Sequence, residues 1–312
     1  MLNAPILCLM GPTASGKTAL AAALVQRFPL EIISIDSAMI YRGFTIGAAK
    51  PDAELLAKAP HHLIDILDPI DSYSAAQCCQ DVSRLCQEIF QRGHVPLLVG
   101  GTMMYFNALQ KGLSRLPQAD EQVRLDLLRE ADVIGWEGMH QQLAKVDALS
   151  AARIHANDTQ RIQRALEVYR LTGKSMSLLW TQPQEIPLPR CVNWVILPED
   201  RAWLHARIAE RFHQMLAAGF IDEVQQLMAN WPLTAENPSI RSVGYRQVLG
   251  YLQGDYTHDD LVEKGIAATR QLAKRQLTWL RHWTDKRVFV AENPLIEREV
   301  LASVQQILDN AH

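Results

Sequence analysis

Residues 11–18 read Gly11-Pro12-Thr13-Ala14-Ser15-Gly16-Lys17-Thr18 and match the pattern GxxxxGK[ST] at every defined position. The apolar run Ile6–Met10 comes before this stretch, and the helical pattern Ala19–Phe28 follows it. A glycine-rich turn between a strand and a helix directs several backbone N–H groups and the positive helix end at one anion. The pattern therefore predicts a P-loop for a di- or triphosphate, in which Lys17 supplies a mobile charge and Thr18 a hydroxyl ligand for Mg²⁺.

Strand-like and helical segments alternate through the first hundred residues. The apolar segments Ile6–Met10, Glu31–Ile35 and Val95–Val99 are separated by helical stretches at Ala19–Phe28 and Ala75–Gln91. Such alternation is typical of an α/β fold, in which a parallel sheet is flanked by helices. We therefore predict a P-loop parallel sheet at the start of the chain.

The strand pattern stops after Gly112 and resumes late in the chain. Residues 120–177 read as helices, one of them capped by Asp158 and ended by Gly173, and Cys191–Leu197 has the composition of a buried strand. We predict a P-loop core of residues 1–112 and 193–312, interrupted by a mostly helical insertion of residues 113–192. Further predicted elements are helices at 121–131, 135–145, 158–171, 201–218, 259–283 and 297–308, and a strand at 287–290.

Composition limits the classes of partner. The formal net charge of −3 gives no overall attraction to nucleic acid, so an RNA site has to be a local basic patch. The cysteines number five and show no CxxC spacing, which argues against a zinc site or a disulfide framework. Ile6–Met10 is too short for a signal-peptide core or a membrane helix. We therefore expect a cytoplasmic protein with no membrane partner.

Six motifs occur in the order found in tRNA dimethylallyltransferases, and the chain resembles that family over nearly its whole length. They are the P-loop, Asp36-Ser37-Ala38-Met39-Ile40-Tyr41, His61-His62-Leu63-Ile64-Asp65, Val99-Gly100-Gly101-Thr102, Arg241-Ser242-Val243-Gly244-Tyr245-Arg246 and Lys274-Arg275-Gln276-Leu277-Thr278-Trp279-Leu280-Arg281. The resemblance implies a P-loop that binds the pyrophosphate of dimethylallyl pyrophosphate. It also implies transfer of the prenyl group to the N6 amine of the adenosine beside the tRNA anticodon.

The resemblance also assigns residues to the reaction. Asp36 resembles the family's base, and it follows a predicted strand at the sheet edge where parallel sheets hold ligands, although it could instead cap the next segment. Thr102 resembles a residue that faces both the pyrophosphate and the nucleotide, while its position also suits a helix N-cap. Arg211 resembles a clamp on the pyrophosphate, although a solvated surface arginine has the same pattern.

A local basic strip offers a way for a near-neutral chain to bind tRNA. Lys274, Arg275 and Arg281 lie on a predicted amphipathic helix, and the resemblance implies that they contact RNA phosphates rather than only solvent. It implies further contacts to the anticodon stem-loop from Arg124 and Gln160-Arg161-Ile162-Gln163-Arg164. It also implies contacts to the target nucleotide from residues 36–39 and 102, and contacts to tRNA from residues 241–246. Selection of the base requires the adenosine to be extruded into a pocket.

Two other functions fit part of this pattern. A P-loop kinase for a small metabolite would use Asp65 as a magnesium ligand, and a non-catalytic RNA-binding protein would keep the P-loop only as structure. The basic segments argue against the kinase, and Asp36 argues against a non-catalytic protein. We expect a monomer whose partners are dimethylallyl pyrophosphate, Mg²⁺ and the tRNA anticodon stem-loop.

Overall fold

The structure is a computed structural model that describes residues 5–114, 116–180, 188 and 190–310. The six described strands are β1 (Ile6–Met10), β2 (Leu30–Ile35), β3 (His61–His62), β4 (Val95–Gly100), β5 (Cys191–Leu197) and β6 (Lys286–Val290). The described helices are α1 (Lys17–Val25), α2 (Ala53–Lys58), α3 (Ala75–Gln91), α4 (Met103–Lys111), α5 (Glu121–Val146), α6 (Ala148–Arg153), α7 (Thr159–Thr172), α8 (Met176–Trp180), α9 (Arg201–Ala217), α10 (Phe220–Asn230), α11 (Tyr245–Leu252), α12 (His258–Arg281) and α13 (Ile296–Asp309).

The strands form one sheet in the order β3-β2-β4-β1-β5-β6, and every neighbouring pair is parallel. This confirms the predicted α/β fold. Because all strands point the same way, the loops that follow β1, β2 and β4 meet at one edge of the sheet. The sheet therefore brings the P-loop, the segment that begins at Asp36 and the Gly101-Thr102 turn to one edge, although long stretches of chain separate them.

The inner strands β1 and β4 are buried on both faces, as their apolar sequences require. Leu7 and Leu9 of β1 pack with Trp194 and Ile196 of β5, and α1 and α13 complete that face of the core. A second cluster packs α9, α10, α11 and α12 around Phe44, Phe220 and Tyr245. These two clusters support the loops that begin at the carboxyl edge of the sheet.

The chain divides into two compact units, one made of residues 1–110 and 187–312 and the other of residues 111–186. The named secondary-structure elements of the second unit are all helices, and the unit has its own core around Leu127, Met139 and Leu166. Its first helix, α5, joins the two helices predicted at 121–131 and 135–145. Gly135, the first residue of the second predicted helix, has φ 71° and ψ 163°, so α5 is kinked at this residue.

The two predicted ends of α7 have the expected chemistry, and α12 begins with a capping box that was not predicted. The Asp158 side chain accepts a hydrogen bond from the Arg161 amide at the start of α7, and Gly173 ends α7 in the left-handed conformation. At the start of α12, Thr257 and Asp260 form a reciprocal capping box. None of the helices in the described ranges combines the length and apolar composition needed to cross a membrane.

Candidate functional site: a cationic cavity at the carboxyl edge of the sheet

A cavity of about 800 Å³ opens at the carboxyl edge of the sheet. The loops after β1, β2 and β4 line it from the sheet side, and α9, α12 and residues 241–244 line the rest. Five cationic side chains and only two carboxylates contribute to its wall; they are Lys17, Arg207, Arg211, Arg241 and Arg275, with Asp36 and Glu210. This excess of positive charge suits an anionic ligand.

The P-loop has the backbone geometry that its sequence predicts. Gly16 adopts φ 91°, in the left-handed region, immediately before α1 begins at Lys17. The Lys17 ammonium donates to the Pro12 carbonyl at 2.6 Å, so its charge lies over the loop. Arg207 donates from Nε to the Ala14 carbonyl at 3.0 Å and thereby attaches α9 to the same loop.

Burial and neighbouring positive charges disfavour the charged forms of Lys17 and Arg211 when no anion is bound in this part of the cavity. Desolvation is the main cause that lowers the pKa of Lys17 to about 7, and the charge of Arg211 lowers it further. The same desolvation, together with Arg207, lowers the pKa of Arg211. An anion placed between Lys17 and Arg211 would relieve both effects, which is the electrostatic requirement of a pyrophosphate site.

Asp36 directly follows β2 and lines the cavity. Its Oδ1 accepts hydrogen bonds from the amides of Ala38 at 2.8 Å and Met39 at 3.2 Å, so the side chain closes a turn in its own backbone. The capping alternative is thus present in the structure. Because this turn uses Oδ1 and no described residue donates a hydrogen bond to Oδ2, capping is compatible with chemistry at the second oxygen.

Thr102 lies between β4 and α4 and contacts the turn that begins at Asp36. Its Oγ1 accepts from the Ser37 amide at 3.2 Å and lies 3.5 Å from the Ser37 hydroxyl. The hydroxyl is therefore directed at the β2 loop, whereas the N-cap interpretation directs it at the amides of α4. Thr102 and Asp36 lie on adjacent loops of one cavity.

Gln276 belongs to the predicted RNA-binding segment, but its side chain is buried and committed to the protein backbone. It accepts from the Thr13 amide at 2.9 Å and donates to the Gly101 carbonyl at 2.9 Å. The contact with Thr13 spans 263 residues of sequence. No local pattern signals such a contact, so sequence reasoning missed it.

The rest of the Lys274–Arg281 segment divides between two faces of α12. Leu277 and Leu280 are buried, which contradicts a direct RNA contact by their side chains and agrees with an apolar face that packs on the core. The exposed residues are Lys274, Arg275, Thr278, Trp279 and Arg281, of which Arg275 and Trp279 line the cavity. A basic face and a core face therefore alternate on one helix.

Some of the residues at 241–246 that were predicted to contact tRNA line the cavity. Residues Arg241, Ser242, Val243 and Gly244 line the wall, and Arg241 is also paired with Glu236 at 2.5 Å. Tyr245 is wholly buried, and its hydroxyl donates to Glu223 at 2.7 Å. The prediction that Tyr245 contacts RNA is therefore wrong for this structure, because its side chain supports the core. Arg246 is exposed.

In the helical unit, Arg124 and Arg164 share one buried partner. Glu167 accepts from Arg124 at 2.9 Å and from Arg164 at 2.6 Å, and Gln163 donates to the Arg124 carbonyl. Gln160 and Arg161 are exposed, whereas Ile162 is completely buried. Burial contradicts an RNA contact by the Ile162 side chain, since this residue packs into the core of the unit.

Asp65, which the kinase interpretation needs as a magnesium ligand, is paired with Lys50 at 2.5 Å. It is absent from the residues that line the cavity. Over the described part of the chain, no group of three or more His, Cys, Asp or Glu side chains is arranged to hold a metal ion. Thr18 lines the cavity beside Lys17.

The parallel sheet and the P-loop sequence, with a cationic cavity beside it, are the features of the P-loop class of proteins. Comparison with known proteins narrows this class, because residues 39–283 match the family model of IPP transferase. The chain belongs to the IPP transferase family.

Full-length relatives agree with this membership. The chain is 59% identical over 309 residues to a tRNA dimethylallyltransferase of Legionella pneumophila (strain Corby), covering 99% of both chains. It is 49% identical over 322 residues to tRNA dimethylallyltransferase 2 of Hahella chejuensis, covering 99% of this chain and 97% of that protein. The resemblance drawn from the six motifs is confirmed, and with it the prediction of a prenyltransferase.

Solved structures share the fold. A tRNA isopentenylpyrophosphate transferase of Bacillus halodurans is 33% identical with a TM-score of 0.72, over 99% of this chain and 98% of that one. A eukaryotic dimethylallyltransferase acting on tRNA is 27% identical with a TM-score of 0.78, over 98% of this chain and 78% of that one. Both support the predicted fold class over the whole chain.

Proposed function

We propose that this chain transfers a dimethylallyl group from dimethylallyl pyrophosphate to the N6 amine of the adenosine 3′ of the tRNA anticodon, position 37. The products are N6-isopentenyladenosine and pyrophosphate. One observation carries the proposal: the P-loop and the Asp36 carboxylate line the same cavity. Alkyl transfer from a pyrophosphate ester needs a site for the leaving anion and a base for the nucleophile within reach of each other.

The P-loop side of the cavity would receive the pyrophosphate. As the bond between the allylic carbon and oxygen breaks, negative charge develops on the departing pyrophosphate. Lys17, Arg211 and the amides of the loop would stabilise that charge in a partly desolvated site, where each interaction is stronger than in water. The allylic carbon can share developing positive charge with its double bond, so no covalent enzyme intermediate is required.

The Asp36 side would receive the adenine. The N6 lone pair forms the new carbon–nitrogen bond, and the amine then carries a proton in excess. Asp36 would accept this proton, while Oδ1 keeps its hydrogen bonds to Ala38 and Met39 and so holds the carboxylate in one orientation. Thr102 would maintain the β2 loop beside the base through Ser37.

Mg²⁺ fits this site through Thr18, the position at which a P-loop supplies its hydroxyl ligand. The ion commonly takes one or two protein oxygens and completes its shell with substrate phosphate oxygens and water, so the Thr18 hydroxyl and the pyrophosphate would hold it without an acidic cluster. When bound, the ion would offset part of the charge of the leaving group.

For tRNA we propose two protein surfaces. The exposed basic face of α12, residues Lys274, Arg275 and Arg281, would contact phosphates, and the exposed Gln160 and Arg161 of the helical unit would contact the anticodon stem-loop. Arg124 and Arg164 would contribute the charge that Glu167 leaves uncompensated. We propose that the active form is a monomer, with dimethylallyl pyrophosphate as its second substrate.

The test is transfer of label from dimethylallyl pyrophosphate to unmodified tRNA in the presence of Mg²⁺ and the absence of any nucleoside triphosphate. We expect acid-stable label on adenosine, and we expect Lys17→Ala to reduce it strongly because the leaving-group site loses its mobile cation. A transfer reaction that strictly depends on ATP hydrolysis would contradict the proposal, as would label recovered only on a small metabolite.

A further inference from the structure

Gln276 connects two loops that approach the cavity from different strands. Its Oε1 accepts from the Thr13 amide in the loop after β1, and its Nε2 donates to the Gly101 carbonyl in the loop after β4, each at 2.9 Å. The residue is only 9% exposed, so water does not compete strongly for these groups. One side-chain amide therefore joins the two loops just beyond the ladder in which Met10 pairs with Gly100.

The neighbouring backbone is shaped to admit this amide. A Cβ atom added to Gly101 would lie 2.5 Å from Nε2 of Gln276 and 3.2 Å from the Gly11 carbonyl oxygen. Only a glycine at this position lets α12 bring the amide so close to β4. The two contacts also define the orientation of the amide, because a flipped side chain would place its NH₂ against the Thr13 N–H and its oxygen against the Gly101 carbonyl.

Each end of the bridge continues to a group that the reaction needs. The Thr13 amide is committed to Gln276, so the P-loop amides left for a pyrophosphate are those from Ala14 to Thr18. At the other end, Gly101 is followed by Thr102, whose hydroxyl contacts Ser37 in the turn held by Asp36. The bridge thus links the leaving-group site to the loop beside the base.

We infer that Gln276 is a positioning residue that holds the P-loop and the Gly101 turn at one separation, so that the pyrophosphate donor and Asp36 meet in a reactive arrangement. The inference rests on the proposed function for its role in transfer, but its effect on the P-loop is independent of RNA. The residue acts through Thr13 and Gly101, to which both polar groups of its side chain are bonded.

Gln276→Met tests the inference, because methionine has nearly the same length and volume but neither hydrogen bond. We expect the affinity for inorganic pyrophosphate, measured by calorimetry without tRNA, to fall about 5- to 30-fold. Binding would then have to restore the loop geometry, at a cost comparable with the one or two hydrogen bonds that no longer maintain it. Hydrogen exchange of the peptide containing Thr13 should accelerate, and tRNA affinity should stay within about twofold. Gln271→Met is the matched control, since Gln271 is exposed on the same helix.

Wild-type pyrophosphate affinity together with wild-type exchange in folded Gln276→Met would overturn the inference. A lowered Tm with unchanged pyrophosphate affinity would also overturn it, because that pattern indicates only a structural role. If Gln276→Met does not fold, Gln276→Asn serves instead. Its shorter amide can reach only one partner, so we expect an intermediate loss of pyrophosphate affinity. An unchanged affinity in Gln276→Asn would contradict the inference. Absence of prenyl transfer by the wild-type enzyme would contradict the proposed function alone.

Discussion

Asp36 divides its carboxylate between two tasks. Oδ1 holds the turn of residues 36–39 through the amides of Ala38 and Met39, and Oδ2 has no hydrogen-bond donor among the residues described. An aspartate that only closed its turn could be replaced by asparagine, whose oxygen accepts the same two bonds. The difference between these side chains is the basicity of the carboxylate.

We therefore expect Asp36→Asn to lower the single-turnover rate of transfer by about 10² to 10⁴, the usual contribution of a positioned base. Affinity for tRNA should change only modestly, since the turn persists. Rapid-quench transfer and binding titrations on the same preparation measure both quantities. Asp36→Ala, which also removes the turn, is the comparison variant. A folded Asp36→Asn enzyme with the wild-type rate would exclude Asp36 as the base.

Lys17 provides a second prediction at this scale. Its pKa of about 7 means that the side chain is largely neutral above that pH in the free protein, and a bound anion favours its charged form. Pyrophosphate binding between pH 7 and 8.5 should therefore take up protons, and affinity should fall as the pH rises through this range. Calorimetry in buffers of different ionisation heat measures the proton uptake. Lys17→Met should abolish the part of the uptake that belongs to the protein. Equal uptake by the wild type and by Lys17→Met would contradict the prediction.

At the scale of elements, α12 packs one face on the core and presents another to solvent. We expect Lys274→Ala combined with Arg281→Ala to weaken tRNA binding and to reduce the slope of log affinity against log salt by up to about two units, one for each phosphate that the double variant no longer neutralises. Arg275 is left intact because it lines the cavity. Arg298→Ala, at an exposed site on α13, is the control, and an unchanged salt dependence in the double variant would mean that this face is only solvated.

The junction of β2, β3 and α3 depends on one carboxylate. Glu31 accepts hydrogen bonds from Arg92 and contacts the rings of His62 and His94, and the bond from Arg92 is the main reason why its pKa falls to about 2. A lowered carboxyl pKa stabilises the folded state above the unfolded value near 4.3, and this stabilisation disappears as the pH falls toward 2.

Glu31→Gln should therefore be less stable than the wild type by about 1–2 kcal/mol at neutral pH, allowing for solvent screening. The difference should narrow as the pH falls from about 5 to about 2. Urea unfolding at several pH values measures it. Glu54→Gln, which removes an exposed pair with Lys58, should change the free energy of unfolding much less, and a pH-independent difference for Glu31→Gln would contradict the assignment.

Most long elements could be predicted from sequence, whereas several short ones away from the P-loop could not. α3 spans Ala75–Gln91 as predicted, because a capping box and a regular apolar face define it locally. β3 has two residues, and the helices α4, α10 and α11 have eight to eleven residues. Helices this short are marginal alone and depend on packing from distant parts of the chain, so their own sequences carry little signal.

At the scale of the whole molecule, the same distinction applies to the site. The P-loop and the position of Asp36 were predictable because each belongs to a motif of contiguous residues. The bridge from Gln276 and the bond from Arg207 to Ala14 join residues that are far apart in sequence, and only the sheet topology brings them together. The buried members of predicted RNA-binding segments show the converse: a motif covers a whole helix, although only one face can meet a ligand.

The position of β1 has a consequence for how the chain is made. β1 lies between β4 and β5, and 97 residues separate the end of β4 at Gly100 from the end of β5 at Leu197. At 5–20 residues per second, the ribosome needs roughly 5 to 20 s to supply them. During that interval an apolar strand edge beside the P-loop lacks its second partner, while the helical unit is the segment being synthesised. The nascent protein therefore passes through a stage in which it exposes an apolar strand edge, the kind of surface that chaperones shield, and the finished sheet buries this edge near its centre.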